Sequence, residues 1–287
     1  MQYYTEIVYL CKQIELMVSV MSVADWIDYQ VPSGRYTFSK EDVKKEFPTM
    51  TGHAIDVAVQ RAVDKGRVFS PCRVFYVVVP EEYRLWEAVP QEVYLDKMMQ
   101  YLGRQYYVSL LSAAERHGAA HQAPMEFQVM VEPPVLRDKV REGYVIRYSE
   151  RKQIPMQYVE RREVPTGWLN VSGSELTAVD LIAYQEHVGG LTRAATVLEE
   201  LAQKVDFSKQ GPDFVKVASI PVFQRLGYLL DCVLEEHEVA EGLYGLMREE
   251  GLKMKAVPLR MGMATDSADV DKKWKVIVNQ EIDIDEL

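Results

Sequence analysis

The feature that most constrains this chain is a run of punctuation between residues 38 and 79. Phe38-Ser39-Lys40-Glu41-Asp42-Val43 reads as a helix start: Ser39 can cap the backbone, acidic residues suit the positive end of the helix, and Phe38 can staple onto Val43. Pro48 stops that helix near Phe47, because proline brings no N–H and disfavours helical geometry in the residue before it. A second start at Thr51 carries a helix to a terminal Gly66. Arg67-Val68-Phe69 and Arg73-Val74-Phe75-Tyr76-Val77-Val78 then flank Ser70-Pro71-Cys72 as strand, turn and strand. Upstream, apolar residues recur at helical spacing over residues 4–28, and Val31-Pro32-Ser33-Gly34 ends the pattern. Helix, short helix, tight turn, longer helix and hairpin is the order of a winged helix-turn-helix.

In that motif the second helix of the pair lies in the major groove with its N-terminal residues on the base edges. The spacing predicts Ala54, Val57, Ala58, Ala62 and Val63 facing inward, with Thr51, Gly52, His53, Asp56 and Gln60 outward and Ile55 at the outward margin. Gly52 lets a phosphate approach the helix N-terminus. His53 and Gln60 can hydrogen-bond bases, and Asp56 can accept from a cytosine amine. Lys40, Lys44, Lys45, Arg61, Lys65, Arg67 and Arg73 surround this surface as expected phosphate contacts.

After Pro80-Glu81-Glu82-Tyr83-Arg84 the pattern changes. Val89–Leu102 and Tyr106–His117 read as helices; Glu126–Glu132, Gly143–Ser149, Pro155–Val164 and Trp168–Ser172 alternate as strands. A helical block follows from Ser174 to about Glu250, broken at Gly189-Gly190 and Gly211-Pro212, and Lys255–Arg260 and Lys273–Ile282 read as closing strands. The expected fold class is α+β: an N-terminal winged helix-turn-helix over residues 1–84 followed by a larger mixed α/β domain over 85–287.

The formal net charge of −10 argues at first against nucleic acid. Yet residues 1–80 hold nine Lys/Arg and nine Asp/Glu, so the acidic excess lies entirely beyond them. Three widely spaced cysteines, Cys11, Cys72 and Cys232, form neither a disulfide framework nor a metal knuckle, and read as reduced thiols of a cytoplasmic protein. The apolar runs are too short to cross a bilayer, and Ile14–Ala24, flanked by charges, reads as a buried helix rather than a signal peptide.

Several stretches of the second domain occur in a suggestive order. Gly103-Arg104-Gln105-Tyr106-Tyr107-Val108-Ser109-Leu110-Leu111-Ser112-Ala113-Ala114 leads into His117-Gly118-Ala119-Ala120-His121-Gln122 and Phe127-Gln128-Val129-Met130-Val131. Then come Ser172-Gly173-Ser174-Glu175-Leu176-Thr177-Ala178-Val179-Asp180-Leu181, Gly189-Gly190-Leu191 with Ala195-Thr196-Val197-Leu198, Gln224-Arg225-Leu226-Gly227-Tyr228-Leu229-Leu230, and Trp274-Lys275-Val276-Ile277-Val278-Asn279. Together with the preceding winged helix, these resemble the AbiEi family of antitoxins from abortive-infection (type IV) toxin-antitoxin pairs. The resemblance implies an autoregulatory transcriptional repressor that binds operator inverted repeats through its winged helix. It also implies a functional partner, an AbiEii-like nucleotidyltransferase toxin, and leaves direct contact with that toxin open.

A second basic face is conceivable in the strand region, from Arg137, Lys139, Arg141, Arg147, Arg151, Lys152, Arg161 and Arg162; solvated strand edges are the plainer reading. Glu115, His117 and His121 invite a metal site, but Gly118 and Ala123-Pro124 argue against one continuous helix through both histidines and the HExxH order is absent, so none is expected. Ser174, with Glu175 and Thr177 after it, reads as a helix cap rather than a nucleophile partnered by Ser172 or Asp180. No phosphate-binding loop, dinucleotide fingerprint or GxSxG is present, so neither a catalytic residue nor a cofactor is expected. The acidic end, Glu281–Leu287, reads as a strand fraying into solvent. Two rival readings remain: a DNA-targeted nuclease or nucleotide-processing enzyme, and a winged-helix scaffold that binds protein.

Overall fold

The computed structural model describes residues 21–84, 89–119, 125–141 and 144–284. Most of the helix expected over residues 4–28, together with Cys11, His121 and the last three residues of the acidic end, lies outside the described residues. The chain forms two compact units. One is Met1–Arg104 with Arg141–Gly143 and Glu163–Trp168; the other is Gln105–Val140, Tyr144–Arg162 and Leu169–Leu287.

In the first unit, Ser22 caps α1 (Val23–Gln30) through a reciprocal box with Asp25. After β1 (Thr37–Ser39), Ser39 caps α2 (Lys40–Glu46) in the same way, exchanging bonds with Asp42. Thr51 caps α3 (Gly52–Asp64) with a 3.2 Å bond to the Ala54 amide. Gly66, at φ +65°, turns the chain out of α3 in the left-handed conformation that glycine adopts without strain. β2 (Val68–Cys72) and β3 (Phe75–Val78) form an antiparallel hairpin, and β1 pairs with β3 to give the sheet order β1-β3-β2. Trp26, Ile27, Phe38, Val43, Ile55, Val59 and Val68 close one apolar core over these elements.

Two local expectations are corrected here. The hairpin reverses at Arg73-Val74, with Val74 at φ +54°, not at Ser70-Pro71-Cys72. Pro71 sits inside β2 where the register shifts between Phe69 and Cys72, a place where its missing N–H costs no ladder bond. The buried face of α3 is Ile55, Val59 and Ala62: Ala62 is inward as expected, whereas Ile55, expected at the outward margin, is fully buried, and Ala54, Val57, Ala58 and Val63 are half-buried around that stripe. Ile55 and Val59 put larger side chains at the centre of the stripe, and Ala54 and Ala58 stay at its margin.

Most residues of a six-stranded sheet of order β6-β7-β5-β4-β9-β8 belong to the second unit: β4 (Tyr106–Val108), β5 (Phe127–Val131), β6 (Lys139–Arg141), β7 (Tyr144–Glu150), β8 (Val159–Val164) and β9 (Gly167–Ser172). β4 runs antiparallel to β5 and parallel to β9, while β5 and β7 are parallel. The helix expected from Tyr106 therefore begins with a strand. After α4 (Leu95–Leu102), the β-favouring residues Tyr106, Tyr107 and Val108 fill a buried position between β5 and β9, and the chain turns at Leu110 (φ +53°) into α5 (Leu110–Arg116). Likewise Met156–Tyr158 is a 3-10 turn that precedes β8 rather than part of it.

The helical block comprises α6 (Ser174–Ala183), α7 (Leu191–Ala202), α8 (Ile220–Tyr228) and α9 (His237–Glu249), with Gly189 and Gly190 between α6 and α7 both at positive φ. Ser174 is the first helical residue of α6, not its cap. Gly173 takes the cap position, and Thr177 bonds back to the Gly173 and Ser172 carbonyls. The closing strands shorten to a parallel pair, β10 (Val257–Pro258) and β11 (Val276–Ile277).

This terminal segment is seated on α8 by the Gln224-Arg225-Leu226-Gly227 stretch. Gln224 Nε2 donates to the Lys255 and Trp274 carbonyls, both at 2.8 Å, and Arg225 Nε to the Pro258 carbonyl at 2.9 Å. The fully buried Trp274 ring lies over Gly227, where a Cβ would fall 2.0 Å from the indole. Gly227→Ala is expected to unseat the ring and destabilise the protein by about 3 kcal/mol, the cost of forcing an atom into a filled core; a thermal melt followed by tryptophan fluorescence reads it, and an unchanged midpoint contradicts it.

Candidate functional site

The polar surface of α3 follows from its buried stripe. With Ile55, Val59 and Ala62 inside, Thr51, Gly52, His53, Asp56, Gln60, Arg61 and Lys65 are exposed. Two of these groups have partners within the chain. Lys40 forms an ion pair with Asp56, joining α2 to α3, and Gln60 donates to Asp64 at 2.8 Å. Arg67 is mostly buried, paired with Asp28 and donating to the Ala24 carbonyl at 3.3 Å, so it fastens α1 to the start of the hairpin. Lys44, Lys45, Arg61, Lys65 and Arg73 remain exposed, with Arg73 at the hairpin reversal and Lys45 only 3.9 Å from Asp42.

The second group of basic residues is not brought together. Lys139 and Arg141 belong to β6 and Arg161 and Arg162 to β8, the opposite edges of the sheet. Arg147 is held by Glu126 and Asp138 at 2.9 and 2.8 Å. Arg162 binds Glu160, the Arg116 carbonyl and His117. Arg151 is buried, while Arg137 and Lys152 are exposed. A single basic face is ruled out by strand order, which a list of strands in sequence does not reveal.

Arg151 is instead the hub of a buried polar centre. Its Nη1 donates to Asp180 Oδ1 at 2.5 Å and to the Tyr107 hydroxyl at 2.8 Å, and its Nη2 donates to the Val217 carbonyl. Tyr107 in turn donates to Asp180 Oδ2 at 2.8 Å. Burial pushes the Asp180 carboxyl upward, opposed by Arg151 and Tyr107. Burial also opposes the Arg151 charge, but Asp180 and Tyr107 outweigh it and keep the guanidinium protonated. Burial and the Asp180 charge push the Tyr107 phenol well above its ordinary range. The sequence marks Tyr107 only by a hydroxyl-bearing side chain in the middle of an otherwise apolar strand.

His117 has both ring nitrogens engaged. Its Nε2 lies 2.8 Å from the Ser172 carbonyl, which can only accept, and its Nδ1 lies 2.9 Å from an Arg162 nitrogen, which can only donate. The neutral Nε2–H tautomer follows. Burial, with Arg162 adding to it, lowers the His117 pKa despite the Ser172 bond. Among the described residues no group of three His, Cys, Asp or Glu is arranged to hold a metal ion, and no helix is long and apolar enough to cross a membrane.

Residues 107–232 match the family described as AbiEi antitoxin C-terminal domain. That stretch, somewhat under half of the chain, is therefore similar to the C-terminal domain of AbiEi antitoxins. The RV2827C protein of Mycobacterium tuberculosis has a similar fold, with a TM-score of 0.63 and 12% identity over 87% of this chain and 88% of that one. No curated protein matches the sequence.

The AbiEi match begins at Tyr107 and so contains every member of the buried centre, Tyr107, Arg151, Asp180 and Val217. It ends at Cys232, before the terminal segment that Gln224 and Gly227 receive. Beside its end, Asp231 gathers that segment. It accepts from Lys273 Nζ at 2.8 Å and Trp274 Nε1 at 2.9 Å, and His237 Nδ1 lies 2.9 Å away. Burial works against the Asp231 charge, but these hydrogen bonds outweigh it and hold the carboxyl at about 2, below the ordinary 3.8.

Two tests follow for this domain. Arg151→Met leaves Asp180 buried and unpaired, and is expected to destabilise the protein by about 3–5 kcal/mol; the double change with Asp180→Leu recovers most of that. Urea midpoints compare them, and equal losses in single and double variants contradict the pairing. Because the folded pKa of Asp231 is depressed, its contribution is complete above about pH 4 and is lost as pH falls toward 2. Asp231→Asn should flatten the stability profile in that window, as measured by urea titrations from pH 5 to 2.

Proposed function

We propose that this protein is an AbiEi-type antitoxin and an autoregulatory repressor whose first unit acts as a winged helix-turn-helix on operator DNA. One observation carries the reading. α3 follows α2 after a tight turn and presents a polar N-terminal surface beside a hairpin, with Lys44, Arg61, Lys65 and Arg73 exposed around it. In this reading α3 enters the major groove, the Arg73-Val74 reversal lies along the backbone as the wing, and two copies occupy inverted half-sites. Thr51 and Gly52 offer helix N-terminal amides to a phosphate, while His53, Asp56 and Gln60 face base edges. Lys40 exchanges Asp56 for a phosphate on binding, and Lys45 contributes at the margin. Arg67 acts chiefly by orienting α1.

The second unit opposes a toxin of the nucleotidyltransferase kind, and the protein works in the cytoplasm. The rival reading as an enzyme would use Asp180, but both of its carboxylate oxygens are taken by Arg151 and Tyr107 in the core.

Gel shifts on the upstream region of the gene test the proposal. Arg61→Ala and Lys65→Ala should each weaken binding to specific and random duplex alike and reduce the salt slope by about 1. Gln60→Ala should change sequence preference instead. An absent shift, or one indifferent to all three changes, overturns the reading.

A further inference from the structure

The first unit contains a cleft of about 460 Å³ between α1, the turn from α2 to α3, and α3 itself. That volume falls in the range of small-molecule sites, roughly 300–1,000 Å³. From α3 and its cap come Ala58, Arg61, Ala62 and Lys65, whose spacing of three and four residues sets them along one face. Phe47 and Met50 line the cleft from the turn, and the buried Val23 lines it from α1. This apolar lining is continuous with the core. Phe47 meets the buried Trp26 edge-on, with ring centroids 6.3 Å apart, and Met50 and Ala58 pack against the same apolar cluster.

The charge on the lining has one sign. Its ionisable residues are Arg61, Lys65 and Arg67, with no carboxylate among the described residues that line it. Arg67 is already matched by Asp28, and it donates to the Ala24 carbonyl at the edge of the cleft. The Ser22 hydroxyl, also in the lining, is engaged with Asp25, whose carboxyl feels the Arg67 charge as well. Arg61 and Lys65 are different. Neither side chain has a hydrogen bond or an ion pair among the described residues. Both groups only donate, so a complementary ligand must accept hydrogen bonds and carry negative charge. The apolar surface beside them asks for a hydrocarbon or aromatic body on the same molecule. An amino acid or other zwitterion fits less well, because the lining offers its ammonium no counter-charge.

We propose that this cleft binds a small organic acid, its carboxylate at Arg61 and Lys65 and its apolar body against Phe47, Met50 and Ala58. A further consequence rests on the operator reading given above: a cation held by a ligand carboxylate cannot also hold a phosphate, so the acid releases operator DNA. The test is calorimetric titration of the full chain with octanoate, with acetate as the anion lacking a body and 1-octanol as the body lacking a charge. Octanoate is expected to saturate at one per chain, at least tenfold more tightly than either control. The double change Arg61→Gln with Lys65→Gln should weaken it at least tenfold, and so should Ala58→Met, which fills the cleft without altering any charge. Lys204→Gln in the second unit should leave it unchanged. Arg61 and Lys65 are exposed and unpaired, so their substitution does not threaten the fold. In gel shifts, octanoate but not acetate should raise the protein concentration needed for half-binding of the upstream duplex. The proposal is overturned if octanoate fails to saturate, as it would if a second copy or another segment of this chain closed the cleft. Equal binding of acetate or 1-octanol, unchanged affinity in both variants, or an operator shift indifferent to bound octanoate also overturns it. Octanoate binding with no operator shift at all would overturn the operator reading and leave the cleft assignment standing.

Discussion

A guanidinium cannot be left in a protein interior without a counter-charge, and the second unit is arranged around one that is. Arg151 follows β7, Tyr107 lies in β4, Asp180 in α6, and the Val217 carbonyl in the turn before α8. Apolar packing alone tolerates slippage, because one buried leucine contact resembles the next. A charged pair with a phenol between its partners does not, since a shift of one residue would strand a carboxylate in the core. The centre therefore sets how α6 and the turn at Val217 lie on the sheet, and it sits among fully buried neighbours such as Met130 and Leu176.

The terminal segment depends on a complementary device, an absence of volume. Gly227 leaves a notch for the Trp274 ring, Gln224 secures the backbone on either side of it, and Asp231 and Lys273 add charge at the rim. Asn279 then holds the loop after β10, pairing with the Arg260 backbone in both directions. The Gln224–Gly227 stretch and Trp274 are distant in sequence but form one seat, and Asn279 braces the loop beside β10. Their presence in the resemblance stretches is thus accounted for by packing rather than by chemistry on a substrate.

In the first unit the same economy of charge is visible on the surface. Lys40 with Asp56 and Arg67 with Asp28 are matched internally, in keeping with the equal numbers of acidic and basic residues over this part of the chain. The exposed cations that remain are a subset of those expected from composition. A surface of this kind would bind through a few well-placed contacts rather than through bulk attraction.

Local chemistry was legible in the sequence wherever neighbours along the chain decide the outcome. Ser39 and Thr51 capped their helices, Pro48 and Gly66 ended them, and the strands at Phe127–Val131 and Gly167–Ser172 fell where alternation put them. Tertiary structure alone decided which way α3 turned its faces, that Tyr106–Val108 became a strand, and that Arg147, Arg151 and Arg162 serve three separate partnerships instead of one basic face. The reason is range. Caps and breakers act within about four residues through backbone hydrogen bonds, whereas the partner of a buried or paired charge is chosen by strand order and packing, which bring residues 29 and 44 positions away to Arg151 and which no local pattern encodes.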